Sequence, residues 1–268
     1  TPSQPPTTQS PSQPPSQPTK GKTRFVVSSF NVLGSSHTVG GKGGYASGVA
    51  RIRQVADLIR AKGVDVVGFQ EFASDQAREF KRVAGGEFGT FPGPSKRHLG
   101  SHNTIAWRKD TWKLVESYTV DMPSHKGRMQ PSPVVRLKNK HTGQEVYFTN
   151  FHNASGFHIN QQQHWRDQAT TQQVALINKL KRSGLPVIVT GDMNEKANYH
   201  RRLTNEAGMD AANELKNGSL PRALYVDWIF GSQDVTFKGY HRERKSVLQK
   251  ISDHGMLVSK VVVGKQKG

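Results

Sequence analysis

Apolar residues fall in short dense runs, separated by polar, basic or glycine-rich stretches, and the runs carry two different periods. Arg24–Leu33 (RFVVSSFNVL) reads as a strand. A glycine-rich loop over 34–48 follows. Ser47 is placed to cap a helix on which Val49, Ile52, Val55, Ala56 and Ile59 share one face, with Gly63 ending it. Val64–Glu71 (VDVVGFQE) is too continuously apolar for a half-exposed strand and predicts a buried one. Ser74 is then placed to cap a short helix running to about Ala84.

The middle of the chain reads as a meander, with strands near Thr104–Arg108, Trp112–Val120, Val134–Lys138 and Glu145–His152. Lys140-His141-Thr142-Gly143 supplies the turn before the last of these. A helix over Trp165–Leu180, stopped by Gly184, precedes a short buried strand at Pro186–Thr190. Weaker helical periodicity covers 198–216. Strands return at Tyr225–Phe230 and Val235–Tyr240, and Met256–Val263 closes the chain. Strands outnumber helices, both halves follow a strand–helix–strand plan, and no internal repeat is visible. This pattern predicts an α/β fold in which two packed, mainly antiparallel sheets are flanked by helices, a four-layer α/β sandwich.

Residues 1–22 stand apart. The first 20 hold half of the chain's 14 Pro and no aliphatic or aromatic side chain, so they cannot bury a core. They predict a Pro/Ser/Thr/Gln-rich tail or linker, leaving 23–268, long enough for one large domain or two small ones and read from the strand pattern as one. Tails of this kind tether exported modules, so a secreted or cell-surface setting is expected. No run approaches the ~18 apolar residues of a membrane-spanning helix, and no signal-peptide pattern is present. The absence of Cys excludes disulfides, a thiol nucleophile and thiolate metal sites. A net charge of +18 predicts a polyanionic partner: nucleic acid, an anionic lipid surface or an acidic polysaccharide.

Polar residues cluster at the ends of the apolar strands. Asn31 ends the first, Glu71 the second and His152 the run VYFTNFH; Asp192 and Asn194 follow PVIVT. Asp227 sits among apolar neighbours in YVDWIF, and Asp253 and His254 precede the last strand. Each alone has an ordinary explanation. An Asn after a strand turns the chain, Gly-Asp-x-Asn can be an Asx turn, and a lone His is commonly structural. Together they form a set of four carboxylates, two Asn and two His without a Ser or Cys nucleophile. Such a set suits a hard cation such as Mg²⁺ or Mn²⁺, a carboxylate that activates water, and a histidine that stabilises charge on phosphate.

The ordered series Ser-Phe-Asn31-Val, Gln70-Glu71, Asn150-Phe-His152, Gly191-Asp192-Met-Asn194, Val-Asp227-Trp-Ile and Ser252-Asp253-His254 resembles the endonuclease/exonuclease/phosphatase superfamily, the DNase I-like fold. The resemblance spans residues 24–263 and implies the same four-layer sandwich, with the site at one edge of both sheets. It implies Glu71 as the principal metal ligand, helped by Asn31 and by Asp253. Asp192 would activate the attacking water, and Asn194 would bind a phosphate oxygen. His254 would contact the scissile phosphate with Asp227 orienting it, and His152 would assist the leaving group. The implied cofactor is Mg²⁺, with Mn²⁺ or Ca²⁺ as substitutes. Asn-Phe-His-Asn departs from the commoner Asn-Thr-His-Leu. A His at 152 argues against abasic-site endonucleases, and Val-Asp227-Trp argues against inositol-polyphosphate phosphatases.

Other signals are weaker. Gly41-Lys42-Gly43-Gly44-Tyr45-Ala46 matches a dinucleotide fingerprint but lies too far past its strand for a tight turn. His158 and His164 lack nearby carboxylates for a zinc site, and Asn153-Ala-Ser and Asn217-Gly-Ser match glycosylation sequons. Basic clusters occur at Lys96-Arg97-His98, Lys181-Arg182, Arg201-Arg202 and Arg242-Glu-Arg244-Lys245; a single such run is ordinarily a solvated face, but at +18 several are expected to flank the site, without aromatic residues concentrated beside them. The expected activity is metal-dependent hydrolysis of DNA, with RNA a second substrate, by a monomer needing no protein partner. A phospholipid or sphingomyelin phosphodiesterase, and a catalytically silent nucleic-acid-binding module, are the alternatives.

Overall fold

The structure, a computed structural model, describes residues 21–94, 101–156 and 160–264. The Pro-rich segment to Lys20, the cluster Lys96-Arg97-His98 and His158 lie outside the described residues. In chain order the elements are β1 (Thr23–Asn31), α1 (Gly48–Ala61), β2 (Val66–Ala73), α2 (Ser74–Ala84), β3 (Phe88–Phe91), β4 (Ser101–Arg108), β5 (Trp112–Pro123) and β6 (Met129–Asn139). Next come β7 (Glu145–His152), α3 (Asn160–Lys181), β8 (Val187–Asp192), α4 (Ala197–Ala207), β9 (Met209–Ala211), β10 (Asp227–Ser232), β11 (Val235–Glu243), α5 (Lys245–Leu248) and β12 (Met256–Val263).

The strands form two six-stranded sheets, ordered β11-β12-β1-β2-β4-β3 and β5-β6-β7-β8-β10-β9. Each holds one parallel pair, β1 with β2 and β7 with β8, among antiparallel neighbours. The parallel pairs are joined through α1 and α3, as parallel strands require a crossover.

Apolar packing explains the four layers. Phe25, Val27, Val66 and Trp107 of the first sheet meet Val135, Leu137, Phe148 and Ile188 of the second in the central core. Phe25 sets its ring edge-on against Trp112, with centroids 5.0 Å apart. Ile52, Val55, Ala56 and Ile59 of α1, with Phe80 of α2, cover the outer face of the first sheet. Ile177 and Leu180 of α3, with Tyr199 and Leu203 of α4, cover the second.

Several local expectations are revised. Val49 is only half-buried, whereas Arg51 on the same helix is fully buried. Ser74 is the first helical residue rather than the cap. Ala73 occupies the cap position, and its N–H is taken by the Gln76 side chain at 3.0 Å. The helical signal over 198–216 stops at Ala207, because Gly208 adopts a left-handed conformation (φ 57°) and turns the chain into β9. β10 starts at Asp227, two residues later than Tyr225. The short strand β3 was not foreseen, since FGTF is flanked by Gly86 and Pro92 and too brief to show a period.

Where the two sheets meet near their upper edge, the apolar core gives way to a polar seam. Gln70 Nε2 donates to Asn150 Oδ1 at 2.7 Å, and Thr190 Oγ1 donates to the same oxygen at 3.0 Å. Asn150 Nδ2 donates back to Phe69 O at 2.7 Å. Buried amides are stable there because they are paired. Gly68 makes room: a Cβ at that position would lie 2.0 Å from Thr190 Oγ1 and 2.6 Å from Asn150 Oδ1.

Candidate active site

The topology brings the chemistry to one edge. β1, β2, β7 and β8 run parallel in pairs and end there, while β10 and β12 begin there. The register places Asn31 beside Gln70, His152 beside Asp192 and Asp227 beside Asp192. Seven of the eight expected residues lie in one chain of contacts.

Asp192 is its centre. Its Oδ1 accepts from the backbone N–H of Asn194 at 3.0 Å, and its Oδ2 accepts from Asn31 Nδ2 at 3.0 Å. The same Oδ2 faces two imidazoles, with His152 Nε2 at 3.6 Å and His254 Nε2 at 3.7 Å. Asn194 holds this geometry from a left-handed backbone (φ 49°), which Asn tolerates better than most residues. Its side-chain amide donates to Asn153 O at 2.9 Å.

Asn31 joins the two carboxylates, because its Nδ2 also donates to Glu71 Oε1 at 3.1 Å. Its own Oδ1 is taken by the Leu33 N–H at 3.0 Å. Glu71 sits at a break in the β2–β4 register with φ of 54°, a conformation that costs a non-glycine residue ~1–3 kcal/mol and recurs at functional sites. Burial pushes its carboxyl up, but His152, the Asn31 amide, the Gly34 N–H and His37 outweigh that and hold it below its ordinary value. His37, which no motif or period in the chain singles out, lies 3.3 Å from Glu71 Oε2.

His254 and Asp227 form a closed pair. The ring Nδ1–H donates to both Asp227 oxygens, at 2.9 and 3.0 Å. Burial opposes a charged imidazole, yet Asp227, Asp192 and Asp253 outweigh it and hold His254 up to about 10. Burial and the neighbouring Asp192 raise Asp227, with His254 pulling the other way. The proton of the pair therefore resides on the imidazole at neutral pH, and Nε2–H points toward Asp192.

Asp253 is the eighth residue. It is exposed at the rim and makes no direct bond to Glu71 among the described residues, although its charge is felt by Arg51, Tyr45 and His254. Ser252 beside it is buried and donates to Asn31 O at 2.7 Å, tying the last loop to β1. Arg51 ties the same loops from below. Its guanidinium donates to Val32 O at 2.7 Å, Leu33 O at 2.7 Å and Ile251 O at 2.9 Å, and its Nε donates to Ala46 O at 3.1 Å.

The basic clusters divide. Arg242 reaches the site edge and stacks on Tyr225, its guanidinium carbon 4.0 Å from the ring centre, so an aromatic does accompany this cluster. A cleft of about 670 Å³ opens there, lined by Asn194, Lys196 and Tyr225 among others. Lys181-Arg182 does not flank the site. It stands at the far end of α3, roughly 28 Å along the helix from Gln162. Arg202 is paired with Glu206 at 2.8 Å. Asn153 is buried in the network around Asp192, which removes it as a glycosylation acceptor. His164 packs against Trp165 and bonds Gln168, without a carboxylate partner among the described residues.

This ordered constellation on a double sheet is that of a phosphoesterase, and the sequence model of the Endonuclease/Exonuclease/phosphatase family matches residues 28–254. The chain belongs to that family. Solved structures share the fold. The human Nocturnin catalytic domain with bound sulfate aligns with a TM-score of 0.74 at 16% identity, covering 90% of this chain and 95% of that one. A mannosyl-6-phosphatase from Bacteroides thetaiotaomicron aligns with a TM-score of 0.67 at 20% identity, covering 90% and 100%. Danio rerio TDP2 complexed with a single-strand DNA product aligns with a TM-score of 0.65 at 19% identity, covering 89% and 98%. Comparison of the sequence with curated proteins gives no match.

Enzymes of this family hydrolyse phosphoesters and typically depend on a divalent metal. The donors here fit a hard cation. Glu71 is held anionic and only partly buried, and the Glu71 and Asp192 carboxylates converge on one amide. Asp192, Asp227 and His254 also lie within ligand distance of one another. Asp227 is already committed to the His254 ring, however, so Glu71 and Asp192 are the better-placed donors.

Proposed function

We propose that this chain is a divalent-metal-dependent phosphodiesterase acting on nucleic acid, DNA before RNA, with little sequence selectivity. One observation carries the reading: a carboxylate, Asp192, is fixed by two N–H donors and flanked by two imidazoles on a protein of net charge +18. The bound DNA product of the TDP2 relative supports it.

In this reading Glu71 is the principal metal ligand, with Asp253 completing the rim and Asn31 holding Glu71 and Asp192 in register. The cation, Mg²⁺ or Mn²⁺, would polarise the phosphate and offset its charge. Asp192 accepts the proton of the attacking water, whose oxygen forms the new bond to phosphorus. His254, charged through Asp227, donates Nε2–H to a non-bridging oxygen as negative charge builds there. Asn194 stands beside that oxygen. His152, facing Asp192 from the other side, gives its proton to the leaving oxygen as the ester bond breaks. The Pro-rich tail is assigned to tethering an exported enzyme.

A lipid phosphodiester is the second reading, favoured by one feature. Val39 and Leu248, each 72% exposed, project from segments joined by the Lys250 Nζ to Gly43 O bond at 2.8 Å.

A substrate panel separates the readings: duplex DNA, single-stranded RNA, sphingomyelin vesicles and a sugar 6-phosphate, each with Mg²⁺. Cleavage of DNA and RNA far ahead of the others is expected. Turnover of vesicles or sugar phosphate with no attack on either nucleic acid overturns the reading.

A further inference from the structure

Resting on the nucleic-acid reading above, we infer that the turn between β5 and β6 is a phosphate clamp for the strand that flanks the scissile bond. The turn holds three basic residues in a row of four, His125, Lys126 and Arg128, all exposed. None of them forms an ion pair among the described residues. Elsewhere on the surface, cations such as Arg60, Arg82 and Arg202 are neutralised by Glu87, Glu79 and Glu206. Asp121, on β5, is the nearest acid along the hairpin.

The turn is built rigidly. β5 and β6 pair from Trp112 with Asn139 up to Pro123 with Met129. The tip is closed by Ser124 N–H to Arg128 O and Gly127 N–H to Ser124 O, both at 2.9 Å. Lys126 (φ 55°) and Gly127 (φ 71°) are both left-handed, an arrangement that strains Lys126. Gly127 packs closely on Trp165 of α3, where a Cβ would lie 2.5 Å from the indole. The Lys126 N–H donates to Gln162 Oε1 at 3.1 Å.

The turn is also tied directly to the active site. Ser124 Oγ donates to the backbone carbonyl of His152 at 3.3 Å, and the His152 ring faces Asp192. A cationic tip without ion pairs among the described residues is therefore anchored, through Ser124, to the strand end that carries a histidine of the site. A flexible Lys alone gives steering. Here the backbone that carries Lys126 and Arg128 is held in place, so the ordering cost of the turn is met in folding and only the two exposed side chains are ordered in binding. A polynucleotide whose scissile phosphate sits over Asp192 would lay a neighbouring phosphate on Lys126 and Arg128.

The test uses the full chain and the double variant Lys126→Ala/Arg128→Ala, neither residue belonging to the reaction centre. Hydrolysis of bis(4-nitrophenyl) phosphate, a diester too small to reach the turn, is expected to stay within about twofold of the parent. Plasmid cleavage at moderate salt is expected to fall about tenfold, and binding of a short duplex in EDTA to show a log K against log salt slope shallower by about 1.8, for two lost phosphate contacts. Equal losses on both substrates would mark a structural role and overturn the clamp. So would unchanged plasmid cleavage and an unchanged slope. A parent protein that hydrolyses the small diester but neither binds nor cuts DNA or RNA would instead overturn the nucleic-acid reading itself.

Discussion

At the scale of single residues, the His254–Asp227 pair is the most distinctive feature. Its two short bonds and the surrounding carboxylates hold the imidazole charged far above the ordinary ~6.5 of histidine. Because the folded value is the higher one, the pair contributes stability that is fully present below about 6.5 and is lost as pH rises toward about 10. In metal-free protein, the His254 ring resonances should titrate near 10. Asp227→Asn should bring the midpoint down by several units and lower kcat by ~10²–10⁴-fold. A midpoint near 6.5 in the parent would show that the pair does not hold the proton.

The residues of this constellation were legible in the sequence because strand ends are where a double sheet can present polar groups, and their order along the chain is distinctive. Two others were not. His37 lies in a loop whose path is set by left-handed glycines, and only the folded chain brings it to Glu71. Arg51 looked like a polar position on an amphipathic helix. Its burial makes sense only once five acceptors, on Val32, Leu33, Thr38, Ala46 and Ile251, surround it. Arg51→Met should cost about 3 kcal/mol or more in urea unfolding, since each hydrogen bond to a charged group is worth ~1.5–3 kcal/mol. Arg51→Lys should not restore it, because a point charge cannot reproduce the fork.

Among the elements, the positions of most strands and most of the buried face of α1 follow from periodicity, while β3 and β9 are too short to carry one and the order of strands within each sheet appears only in the fold. The polar seam between the sheets was invisible for a different reason. Gln70, Asn150 and Thr190 are far apart in sequence, and each reads alone as an ordinary strand residue. Gly68 is the seam's weak point. Gly68→Ala would drive a methyl group into Thr190 and Asn150 and should destabilise the fold by ~1–3 kcal/mol. Because the seam underlies Asn31 and Glu71, activity should fall together with the unfolding midpoint. A variant as stable as the parent would show that the seam yields without cost.

At the scale of the whole molecule, the charge of +18 is not spread evenly in effect. Part of it is cancelled in pairs on the helices, and part stands at the remote end of α3. On the proposed nucleic-acid reading, the cations that remain at the site edge, around Tyr225 and on the β5–β6 turn, are the docking face for a polyanion. We expect this face to feed a metal-dependent hydrolytic site built on Asp192. Nicking of supercoiled plasmid with Mg²⁺, set against EDTA and against Asp192→Asn, tests it most directly. The parent should nick the plasmid, EDTA should abolish nicking, and the variant should lose ~10²–10⁴-fold in rate with an unchanged melting curve. Nicking that persists in EDTA, or in the variant at the parent rate, would contradict it.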